Sequence, residues 1–147
     1  RSESDLTESK RKIIEQVRKS DPSLTGRKVL IVDDDMRNIF SLTALMERYG
    51  MDVISAENGK TAIELLKKSP GIEIILMDVM MPEMDGYDTM RAIRMLPKFK
   101  SLPIISLTAK AMKGDREKCL DAGASDYITK PVNTEQLLSL LRVWLYR

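Results

Sequence analysis

From Lys28 onward, runs of four or five mostly apolar residues alternate with longer stretches whose apolar positions fall three and four apart, and few folds accommodate that rhythm. Val29-Leu30-Ile31-Val32 reads as a strand buried on both faces, because so short and continuous a run has no polar side to show to water. Met36 to Tyr49 is expected as a helix, started by Asp35 and stopped at Gly50. Met51 to Ser55 makes a second strand. Asn58 is placed to cap a helix carrying Ala62, Ile63, Leu65 and Leu66, which Pro70-Gly71 ends. Ile74-Ile75-Leu76-Met77 is a third strand. After a loop with Pro82 and Gly86 come a helix from about Tyr87 to Met95, a strand from Pro103 to Leu107, and a helix from about Lys113 to Ala122 closed by Gly123. Tyr127-Ile128 marks a fifth strand, and Asn133 with Gln136 resembles a capping box that opens a last helix through Trp144.

Five β-α units joined by short connections imply a parallel sheet with helices on both faces, since each crossover returns right-handed over the sheet. The expected fold is therefore a doubly wound α/β domain over residues 26–147. Residues 1–25 form a helical lead from an upstream module. Within that lead, Leu6, Ile13, Ile14 and Val17 follow helical spacing up to Asp21-Pro22. Leu6, Ile13, Val17 and Leu24 fit a broken seam repeat, so a solvated linker helix and a coiled-coil signalling helix both stay open.

Ligands of such sheets bind beyond the carboxyl ends of the strands. The residues directly after the strands are Asp33-Asp34-Asp35, Asp78, Thr108-Ala109 and Lys130-Pro131. Asp35 is the natural helix cap, which leaves Asp33 and Asp34 without that duty. Asp78 ends a buried strand, where a charge is costly unless it serves something. Several carboxylates in one pocket must share protons, pair with a cation or bind metal. The chain has no histidine and one cysteine, Cys119, so oxygen ligands and a hard divalent ion, Mg²⁺ or Mn²⁺, are expected rather than zinc. A carboxylate beside such an ion is a nucleophile toward phosphorus. The Lys130 ammonium, the Thr108 hydroxyl and nearby backbone N–H groups would then neutralise the phosphoryl oxygens.

Four segments carry a family resemblance: Val29 to Asp35 (VLIVDDD), Met77 to Gly86 (MDVMMPEMDG), Leu107 to Lys110 (LTAK) and Gly123 to Pro131 (GASDYITKP). In this order and spacing they resemble the receiver domain of response regulators and hybrid histidine kinases, over roughly Gly26 to Tyr146. The resemblance implies a flavodoxin-like strand order 2-1-3-4-5 and phosphorylation at Asp78. It also implies a metal held directly by Asp34, Asp78 and the Met80 carbonyl, with Asp33 acting through water. Thr108, Ala109 and Lys130 would bind the phosphoryl group. Lys130-Pro131 would be a cis peptide bond, and Thr108 and Tyr127 the switch pair. The partner it implies is a histidine kinase or histidine phosphotransfer domain, and the parent chain looks like a hybrid kinase, with a free-standing regulator as the alternative. The chain itself is not a kinase. An apolar Met80 side chain beside Lys110 is expected to slow loss of the phosphoryl group, because it offers attacking water no hydrogen bond.

Other readings fit less well. A haloacid-dehalogenase-type phosphatase would need Asp-any-Asp followed two residues on by Thr or Val, and Asp33-Asp34-Asp35-Met36-Arg37 fails at Arg37. Nucleic acid is not an expected partner. Of the net charge of +2, the first 28 residues hold eight bases against five acids, and the rest sixteen against seventeen. The single cysteine, Cys119, has no partner within the chain, so a reducing, cytoplasmic setting is expected, and no apolar run suits a membrane span, although a parent chain could be anchored. Seven apolar residues of the last helix (Leu137, Leu138, Leu140, Leu141, Val143, Trp144, Leu145) exceed what one face against the sheet needs, so about half are expected as core and the rest as a partner surface; homodimerisation through the last two helices and last strand is what the resemblance implies.

Overall fold

The computed structural model describes residues 24–81, 85–108 and 113–146. The expected leading helix, Ala109, Lys110 and Pro82 lie outside the described residues. Five parallel strands, β1 (Lys28–Val32), β2 (Asp52–Ala56), β3 (Ile72–Asp78), β4 (Ile104–Thr108) and β5 (Asp126–Thr129), form one sheet in the order β2-β1-β3-β4-β5. Five helices connect or follow them: α1 (Met36–Arg48), α2 (Gly59–Lys68), α3 (Gly86–Arg94), α4 (Lys113–Ala122) and α5 (Thr134–Leu145), with a short 3₁₀ turn at Pro97–Phe99. The doubly wound fold expected from the alternation is what forms.

The helix starts follow from their caps. Asp35, Asn58 and Asn133 each accept a backbone N–H of the first turn, from Arg37, Thr61 and Gln136, so donors that the helix itself cannot satisfy find a partner. Two strands start and end one residue later than expected, for a local reason in each case. The Met51 N–H bonds back to Met46 O and closes α1, so pairing of β2 begins with Asp52, whose N–H donates to Arg27 O at 2.8 Å. Pro103 has no N–H to give and only accepts, from Ile75 N at 3.0 Å, so β4 pairs from Ile104. Gly50, at φ 78°, makes the left-handed turn between α1 and β2.

Side chains alternate across the sheet, and the alternation divides the interior in two. Val29, Ile31, Ile74, Leu76, Ile105, Leu107 and Ile128 face α1 and α5, where Ile39, Leu42, Met46 and four leucines of α5 cover them. Leu30, Val32, Ile75, Met77 and Ile104 face α2, α3 and α4, under Leu66, Met90, Ile93 and Cys119. Leu24, a seam position in the sequence reading, is fully buried in the first of these layers.

The last helix divides its seven apolar positions between core and surface. Leu137, Leu138, Leu141 and Leu145 are buried, and Leu140 and Trp144 pack against the same core, which leaves Val143 as the exposed member, 66% accessible. Trp144 is held at the β5 edge, where its Nε1 donates to Asp126 Oδ2 at 3.3 Å.

Arg94 ties the far end of α3 to the turn before β5. Its guanidinium donates to the carbonyls of Gly123 (2.9 Å), Phe99 (2.7 Å) and Lys100 (3.2 Å), and burial pushes its pKa down.

Candidate functional site

The strand tips bring Asp33, Asp78, Thr108 and Lys130 to one edge of the sheet. Asp78 is the last residue of β3 and Thr108 the last of β4, and the neighbouring pairs Asp78↔Leu107 and Thr108↔Thr129 carry the register across to β5. Asp33 follows β1 directly, and its N–H donates to Ala56 O of β2 at 3.1 Å. Lys130 is anchored by its own N–H, which donates to Thr108 O at 2.6 Å. The backbone therefore fixes all four positions before any side chain acts. The Lys130-Pro131 peptide is cis, as the resemblance implied.

Asp33 is fully buried, Asp78 is 2% exposed and Thr108 3%. Such carboxylates persist only with partners. The Lys130 ammonium lies 3.2 Å from Asp78 Oδ1 and 3.7 Å from Asp33 Oδ2. Asp78 Oδ1 also accepts the Met80 N–H at 3.1 Å. Asp33 Oδ1 accepts the Asp35 N–H at 2.8 Å, and Asp33 Oδ2 accepts Nδ2 of Asn38 at 3.3 Å. Asn38 had not been singled out in the sequence. The signal was there in principle, since a polar residue in the first turn of a helix already capped by Asp35 has no capping duty.

Burial pushes the Asp78 carboxyl up to about 6 from 3.8, with the Asp33 charge acting in the same direction, while the Met80 N–H and Lys130 pull it back. A carboxyl in this state gains most from an added positive charge. Carboxylate oxygens of Asp33, Asp34 and Asp78 all lie within 4.8 Å of one another. Asp34, exposed at the mouth, completes an all-oxygen set that fits a hard divalent cation rather than zinc. Asp35, adjacent in sequence, serves α1 as its cap and pairs with Arg37 instead.

Tyr127 is half-buried on β5 and packs with the α2–α4 layer. Met80 is 64% exposed at the end of β3. Behind the acids, a cavity of about 420 Å³ lies between α1 and the start of α5, lined by Asp33, Asn38, Leu42, Leu45, Lys130 and Val132 among others. Among the described residues no helix is long and apolar enough to cross a membrane.

Residues 29–142 match the family described as "Response regulator receiver domain". The chain is 40% identical over 122 residues to the signal transduction histidine-protein kinase BarA of Escherichia coli K12, covering 83% of this chain and 13% of BarA. It is 41% identical over 120 residues to the transcriptional regulatory protein CpxR of the same strain, covering 82% of this chain and 50% of CpxR. The chain thus spans half or less of either relative's length. Among solved structures, the receiver domain of the sensor histidine kinase PA1611 of Pseudomonas aeruginosa, with a magnesium ion coordinated in its active-site cleft, superposes with a TM-score of 0.76. That structure is 35% identical, covering 84% of this chain and all of the other.

Proposed function

Because the chain belongs to the response regulator receiver family, we propose that Asp78 accepts a phosphoryl group from a phosphohistidine donor and passes the event on as a change of shape. The observation that carries this reading is the buried Asp78 carboxylate, held between two further acids and the Lys130 ammonium at 3.2 Å. Mg²⁺ would be held by Asp34, Asp78 and the Met80 carbonyl, with Asp33 acting through water, and when bound it supplies positive charge beside the phosphoryl oxygens.

This chain's own residues do the rest. Asp78 Oδ1 receives both the Met80 N–H and Lys130, so Oδ2, which neither donor engages, forms the bond to phosphorus. As that bond forms, the phosphorus–nitrogen bond of the donor imidazole breaks, and the nitrogen leaves with the electron pair. Lys130 then turns from the carboxylate to a phosphoryl oxygen, with the Thr108 hydroxyl and the backbone around Ala109 on the others. Tyr127 would follow Thr108 as the second switch residue. The chain contains no histidine, so the donor is another domain or protein, a histidine kinase or phosphotransfer module. Met36 and Phe40 of α1 are exposed, 42% and 69% accessible, and offer apolar surface for such a donor near the acidic edge. The parent is proposed to be a hybrid kinase of the BarA kind, with this segment on the cytoplasmic side.

Incubation with Mg²⁺ and acetyl phosphate, followed by intact mass measurement, tests the reading. Wild type should gain one phosphate and Asp78→Asn none; an equal gain in both would move the acceptor elsewhere. A second prediction concerns the Met80 side chain, which cannot orient an attacking water. In Met80→Asn, decay of the phosphorylated form should quicken several-fold. An unchanged half-life would remove Met80 as the cause of slow hydrolysis.

A further inference from the structure

Asn38 occupies the third position of α1, where Asp35 already caps the helix end. Asparagine is a poorer helix former than alanine, so its side chain earns this place otherwise. Its Nδ2 reaches back 3.3 Å to Oδ2 of Asp33, a carboxylate with no exposed surface. The same oxygen lies 3.7 Å from Lys130, which sits closer, at 3.2 Å, to Asp78. Asp33, Asp34 and Asp78 bring three negative charges and Lys130 one positive, so the cluster carries two negative charges, the complement of a divalent cation.

We propose that Asn38 is a positioning residue of the cation site, a neutral donor that holds the buried Asp33 carboxylate without spending the charge reserved for the cation. The proposal rests on the reading of Asp33, Asp34 and Asp78 as that site. An aliphatic side chain here would leave Asp33 short of a donor, and Asp33 would then draw Lys130 away from Asp78. A cationic side chain would satisfy Asp33 equally well, yet it would bring the cluster to a single negative charge and compete with the cation. Only an uncharged donor does the first task without harming the second.

Calorimetric titration of the whole chain with Mg²⁺ tests this on wild type, Asn38→Ala, Asn38→Gln and Asn38→Arg, alongside thermal melting in metal-free buffer. Asn38→Ala should weaken Mg²⁺ binding about tenfold, the scale of one hydrogen bond to a charged group. Asn38→Gln should recover most of that loss, and Asn38→Arg should bind more weakly than Asn38→Ala, although its metal-free melting temperature is at least that of the alanine variant. A purely structural role would instead make affinity follow melting temperature across the series. Equal affinity in wild type and Asn38→Ala, or Asn38→Arg binding as tightly as Asn38→Gln, would overturn the proposal. Absence of Mg²⁺ binding by wild type would overturn the site reading beneath it, and this inference with it.

Discussion

Asp78→Asn is expected to be harder to unfold than wild type by about 2–3 kcal/mol at pH 7 in metal-free buffer, even though it destroys the proposed acceptor. The cause is the cost of keeping a charge at this strand tip. In the folded protein the Asp78 carboxyl is raised to about 6 from 3.8, chiefly by burial and then by the Asp33 charge. Below the lower value the group is protonated in both states, and no penalty arises. As pH rises from 3.8 to about 6, the unfolded chain ionises first, so wild type loses stability across that window and stays at the lower level above it. The amide has the carboxyl's shape and none of its charge, so its advantage should vanish near pH 4 and be complete at pH 7. At about 2–4 °C per kcal/mol for a chain of this size, the melting temperature should rise by roughly 4–12 °C. Mg²⁺ should narrow the gap by binding wild type more tightly than the variant. Urea unfolding at both pH values, with and without Mg²⁺, checks all of this. A variant weaker than wild type at pH 7, or a gain that ignores pH, would contradict it.

Gly86→Ala should act in the opposite direction. On helix preference alone, alanine would help by about 1 kcal/mol. Here the added methyl has nowhere to go. It would lie 2.5 Å from Val79 Cα and 3.0 Å from the Asp78 carbonyl carbon, and it would also collide with the Asp78 oxygen. All three are backbone atoms, so no side chain can rotate aside, and α3 must back away from β3. Overpacking of this kind costs up to about 3 kcal/mol and occasionally more, which outweighs the helix term and leaves a net loss of about 2 kcal/mol or more. Because Gly86 N also donates to Val79 O at 3.3 Å, the displacement should carry Val79 and Met80 with it. The Met80 N–H would then leave Asp78 Oδ1, and phosphorylation by acetyl phosphate should slow together with the loss of stability. A variant that melts within a degree of wild type and accepts phosphate at the same rate would show that the helix start has room to spare.

The strands and helix starts were legible because their signals are local. Four apolar residues before Asp33, the caps at Asp35, Asn58 and Asn133, and the break at Gly50 each act within one turn or one strand. The gathering of Asp33, Asp78, Thr108 and Lys130 was legible for a different reason: parallel topology sends every strand's last residue to the same edge. What stayed hidden depends on contacts between elements distant in sequence. Nothing local says that Gly86 faces the backbone of Asp78, or that Arg94 reaches Gly123. Asn38 was missed because its partner lies behind it, five residues back on the preceding loop. How the apolar side chains of α5 divide between core and surface was equally hidden, because the sequence does not say that Trp144 reaches Asp126 on β5.

The sheet separates two close-packed compartments, and the strand tips are a wall common to both. Asp78 falls in line with Ile74 and Leu76, on the α1 and α5 side, whereas Thr108 falls in line with Ile104 and Ser106, toward α2, α3 and α4. A small group bridging those two residues would press on both rooms at once, though no side chain passes from one to the other. Partners on opposite flanks of the domain could then learn of the same event without sharing any surface.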